Sequence, residues 1–139
     1  MSHSTSADDE LFRDAFANGK VTLAQFDHRA HVRLAYVLLV TGDVDTATAR
    51  MRAALLDFMG HHGVDPAKYH ETITRAWILA VRHFMDRTGH SASADEFISA
   101  NPILLDSKIM LTHYSADLLF SPDARARFVE PDLQRIPTG

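Results

Sequence analysis

The chain has 139 residues, 46% of them apolar, with nine histidines, no cysteine and a formal net charge of −4 when histidine is neutral. That length suits one helical domain, 1–139, with a real core, and the lack of cysteine excludes disulfides, thiolate metal ligands and a cysteine nucleophile. Lys and Arg form no basic stripe, the start lacks a signal pattern, and no apolar run nears the roughly 20 residues of a membrane span, so a soluble, cytoplasmic protein that binds neither nucleic acid nor membrane is expected.

Residues 1–6 are polar and expected to be loose. Ser6 and Asp9 form a capping pair for a helix over 8–17, with Leu11, Phe12, Ala15 and Phe16 inward and Gly19 at its end. Val21, Leu23 and Phe26 in the connector should pack over the end of a bundle. Asp27 caps a helix over 28–40 whose apolar face runs through His31, Leu34, Ala35, Leu38 and Leu39. The next helix, 45–62, carries Met51, Ala54, Leu55, Phe58 and His62 on one face and stops at Gly63.

Asp65 and Pro66 read as the start of the longest helix, 66–87, in which His70, Thr74, Trp77, Val81 and Phe84 fall on one inward stripe. Ser93 and Glu96 make a capping box for a short helix ending before Asn101-Pro102, and a further helix is expected over 103–113. Ser115 and Ser121 each start a shorter one, and 130–139, with two prolines, reads as an extended arm on the surface. No stretch alternates like a strand. The expected fold is an all-α, compact, single-domain helical bundle.

Short links make 28–40, 45–62 and 66–87 antiparallel neighbours, which brings His28, His31, His61, His62, His70 and Glu71 to one end. The stripe positions turn His28, His31, His62 and His70 toward one another. Neutral imidazoles with no thiolate suit a transition metal ion (Zn, Cu, Fe or Ni) rather than Ca or Mg. The leading expectation is a metal-dependent enzyme acting on a small molecule. In it His28, His31 and His70 are ligands, His62 is a fourth ligand or proton shuttle, and Glu71 is a general base or orients a ligand. Tyr69, Thr74 and Trp77 would contact the substrate, although Thr74 also suits a bond back to its own helix and Trp77 the core. His113 joins only if its helix runs toward the same end. The alternatives are a metal-free small-molecule-binding module and a structural or partner-binding protein, for example a homodimer.

Phe26-Asp27-His28-Arg29-Ala30-His31, Lys68-Tyr69-His70-Glu71-Thr72-Ile73-Thr74 with Trp77, Asn101-Pro102-Ile103-Leu104-Leu105-Asp106, His113-Tyr114-Ser115 and Phe128-Val129-Glu130-Pro131-Asp132-Leu133 together carry a resemblance. From about Phe26 to Leu133 the chain resembles a group of small, all-helical bacterial proteins of unassigned function. The resemblance implies a free-standing helical protein and brings no activity, cofactor or site residue with it.

Overall fold

Polar side chains set the helix starts in the computed structural model, which describes residues 2–137. After a two-residue strand β1 (Ser2–His3), Ser6 opens α1 (Ala7–Ala17) with a reciprocal pair. Its hydroxyl accepts the Asp9 N–H at 3.1 Å while the Asp9 carboxylate accepts the Ser6 N–H at 3.0 Å. Asp27 and Asp43 cap α2 (His28–Val40) and α3 (Val44–His61) with a single bond each, accepting the N–H three residues on. A fourth long helix, α4 (Glu71–Thr88), is followed by β2 (His90–Ser91) and three short helices, α5 (Ala94–Ala100), α6 (Ala116–Leu119) and α7 (Pro122–Ala126), capped by Ser93, Ser115 and Ser121.

The fold is all-α, with α2, α3 and α4 packed on one another. Val32, Leu34, Ala35 and Leu39 of α2, Met51 and Phe58 of α3, and Trp77, Ile78, Val81 and Met85 of α4 form the centre of the core. Among the described residues no helix is long and apolar enough to cross a membrane.

Three expectations need correction. The helix expected over 66–87 is two pieces: Pro66–Lys68 is a single 3-10 turn, and the α-helix begins only at Glu71. Tyr69 is extended at φ −62°, ψ 141°, so the chain leaves the helical path and re-enters it with His70 as the cap. The helix expected over 103–113 is replaced by two 3-10 turns, Pro102–Leu105 and Ile109–Thr112. Asp106 separates them, since its side chain accepts the Lys108 N–H and closes a local turn. The start of the chain is docked, not loose. Ser2 and His3 pair in parallel with His90 and Ser91, and this two-residue ladder was not expected. His3 packs edge-on to Tyr36 and Phe97, and its Nε2–H donates to the Met85 carbonyl at 2.7 Å.

The arm beyond 130 is tied to the body of the fold, with the Leu133 N–H on the His113 carbonyl, Asp132 on Ser115, and Ile136 buried. The parts of the two terminal expectations that concern Met1, Thr138 and Gly139 lie outside the described residues.

Candidate functional site

The start of α2, the last turns of α3 and the start of α4 meet around a cleft of about 300 Å³. That is the convergence expected of three helices joined by short links. Phe26, Leu55, Met59 and Ile73 supply apolar wall; His28, His31, Tyr69, His70 and Thr74 bring polar atoms; Asp27 and Lys68 are charged. Its volume is at the lower end of small-molecule pockets, which suits a ligand of about one ring.

The histidines divide by what their nitrogens already do. His70 caps α4 by accepting the Ile73 N–H on Nδ1 at 3.1 Å, and its Nε2–H donates to the Leu119 carbonyl at 2.7 Å. Both nitrogens are engaged, and burial holds its pKa below the ordinary histidine value. His28 donates Nε2–H to the Leu104 carbonyl at 2.8 Å, which leaves the Nδ1 lone pair as its one spare position. Its ring lies 4.6 Å from the Trp77 ring, edge to face.

His31 is different. Burial, with the neighbouring His28 adding to it, pulls its pKa down to about 4, and no hydrogen bond contributes to that shift. Its ring is 6.4 Å from that of His28 and 6.0 Å from that of Phe26. Among the described residues its two nitrogens have no hydrogen-bond partner, and the ring lines the cleft. It is a neutral, half-buried imidazole with one donor and one acceptor unanswered.

The remaining residues singled out from the sequence fall in several places. Tyr69 lines the cleft, but its hydroxyl donates to Glu71 at 2.7 Å, and burial raises its pKa to about 12. Glu71 is outside the cleft lining. Arg52 grips both of its oxygens, and that hydrogen bonding holds its carboxyl below the usual range in spite of burial. Thr74 lines the cleft and bonds back to the His70 carbonyl at 2.8 Å. Trp77 is core, packed beneath His28 and not part of the lining.

His62 does not join the others. It packs against Phe58 and donates Nε2–H to the Val21 carbonyl at 2.8 Å, tying down the connector before α2. His61 lies over Gly19, and His113 places Nδ1 on the Gln134 carbonyl at 2.7 Å. So His28, His31 and His70 come together and His62 does not. Among the described residues no three His, Cys, Asp or Glu side chains form a group able to hold a metal ion.

Sequence reasoning passed over Met59, Lys68 and Arg52 and gave Leu55 only a place on the inward face of its helix. Leu55 and Met59 are four apart on α3, a spacing that puts both on the face toward α4. Lys68 precedes Tyr69-His70 in sequence. Arg52 carries no local signal, because its partner is 19 residues away. No family profile, no curated protein and no solved structure matches the chain, so only the chemistry of its own side chains bears on function.

Proposed function

We propose that this protein binds a small, mainly apolar organic molecule in the cleft at His31, without a metal. One observation carries the proposal: a neutral imidazole with neither nitrogen answered faces an apolar-walled cleft whose Tyr69, His70 and Thr74 groups already have partners. A ligand with one acceptor and one donor completes both His31 nitrogens, and each bond formed in the partly desolvated cleft contributes about 0.5–1.5 kcal/mol. The ligand is therefore a one-ring or short-chain molecule with a hydroxyl, amide or similar head for His31 and an apolar body for Leu55, Met59 and Ile73. Burial keeps the His31 ring neutral at neutral pH, so it offers a ligand one donor and one acceptor.

The test is a ligand-observed NMR screen of small alcohols, phenols and amides in the presence of EDTA. Hits should compete with one another, shift the His31 ring resonances and weaken about tenfold or more in His31→Phe, the loss of one buried hydrogen-bond pair. Hits that bind His31→Phe equally well would refute the assignment.

A metal-dependent site is the second reading, and the spare Nδ1 of His28 beside the unpartnered His31 favours it. It involves two imidazoles from the chain, with Zn, Cu, Fe or Ni completing its shell from the ligand or water. His70 would have to release the Ile73 N–H from Nδ1 to join, keeping its Nε2–H on the Leu119 carbonyl. Titration with each metal ion, read by thermal shift in wild type and His28→Ala, separates the two readings.

A further inference from the structure

On the opposite side of the α2 start a second cleft, about 460 Å³, opens between α1, the connector and α2, and Arg33 lines it together with Phe12, Ala15, Lys20, Val21 and Arg29. Arg33 is held from behind. Its Nε–H donates to Asp9 at 3.1 Å, and its guanidinium carbon sits 4.6 Å over the Phe12 ring. Asp9 is itself fixed, being buried and accepting the Ser6 and Ala94 N–H groups besides. A guanidinium has five N–H donors in a planar fork. Among the described residues only the Nε–H of Arg33 has an acceptor, although the side chain is only 24% exposed. The end-on edge of the fork is thus positioned, partly desolvated and unanswered.

We infer that this cleft binds a small organic carboxylate, with its two oxygens on the terminal nitrogens of Arg33 and its apolar body on Phe12, Ala15 and Val21. The fork, not a surplus of positive charge, carries the inference. Lys20, Arg29 and Arg33 face Asp27 and Asp95 in the lining, with Asp9 behind Arg33, so the three cations and three carboxylates already balance. A monoanion adds one uncompensated negative charge there and a dianionic phosphate two, which favours the carboxylate of the two. A planar carboxylate matches the two parallel N–H groups of the fork. The site shares only Asp27 with the His31 cleft, whose histidines lie on the other face of α2.

Benzoate, benzamide and phenyl phosphate are the probes, titrated separately into the full chain and followed by amide chemical shifts. Benzoate should move Phe12, Ala15 and Val21 saturably, and bind about tenfold or more tighter than benzamide or phenyl phosphate, as one charge-assisted bidentate contact provides. Arg33→Lys, which keeps the charge opposite Asp9 but loses the fork, should weaken benzoate by a similar factor. His31→Phe should leave it unchanged, so the result does not depend on what the other cleft binds. Equal binding of benzamide, tighter binding of phenyl phosphate, or shifts confined to other regions would overturn the inference. These three readouts use only the wild-type chain and stand even if Arg33→Lys fails to fold.

Discussion

His70 ties the start of α4 to Leu119: its Nε2–H donates to that carbonyl at 2.7 Å, 49 residues away, while its Nδ1 accepts the Ile73 N–H. One ring thus closes a helix end and anchors α6. His70→Ala should cost about 2–4 kcal/mol, from a lost cap of about 1 and an unanswered buried carbonyl of about 1–3. His70→Asn, a good cap too short to reach α6, should recover only the first part. Urea unfolding of the three proteins measures both, and full recovery in His70→Asn would show that the Leu119 link contributes nothing.

His31 makes stability depend on pH. The native ring stays neutral down to about 4, whereas the unfolded chain takes up a proton below 6.5. Between those values the unfolded state binds more protons, so stability is complete above 6.5 and is lost as pH falls toward 4. The upper bound on that loss is about 3 kcal/mol. His31→Phe should flatten the wild-type curve across this window. The burial-lowered pKa of His70 acts in the same direction and should leave a residual slope in the variant.

Asp9 is the polar keystone of the first helix. Burial raises its pKa, but the N–H groups of Ser6 and Ala94 and the Arg33 side chain outweigh it, and the carboxyl stays below its ordinary value. Asp9→Ala leaves the Ala94 N–H and a partly buried guanidinium without an acceptor, and should cost about 3–5 kcal/mol. In the wild type the part of that contribution that needs the charged carboxylate is present above pH 3.8 and is lost as pH falls through the lowered native pKa. Denaturation midpoints of the two proteins should therefore draw closer in acid.

Gly19 sits at φ +69°, and a Cβ there would come within 2.7 Å of the His61 ring. His61 is exposed and can swing aside, so the backbone conformation sets most of the cost, about 1 kcal/mol for Gly19→Ala. The double variant Gly19→Ala, His61→Ala should be scarcely better than Gly19→Ala alone when both are compared with His61→Ala. A large rescue would mean that the ring is held in place.

The helix starts were legible because their caps are local. Asp27, Asp43, Ser93, Ser115 and Ser121 each bond the N–H three residues on, and that relation is written in the sequence. The break before Glu71 was not, because two start signals follow one another. Asp65-Pro66 reads as a complete helix opening, and histidine is not among the residues that ordinarily cap. The meeting of His28, His31 and His70 at one cleft followed from short links. What each ring does there did not follow, since the carbonyls of Leu104 and Leu119 come from turns 76 and 49 residues downstream. Periodicity likewise placed His62 on the inward face of α3 but could not foresee Val21 as its acceptor. The docking of His3 under α5 is equally non-local, and a polar terminus gives no hint of it.

The links of His28 to Leu104, His70 to Leu119 and Thr72 to Arg127 all run from the long helices to the irregular last third of the chain. Among the described residues that third has no element longer than five residues past Asn101, so little internal helical cooperativity holds it together. It should behave as a single foldon, released in one opening step when these side-chain links give way. Its amides would then exchange with solvent together, ahead of those in α2 and α4, and His70→Ala would speed them all by a common factor rather than one turn at a time.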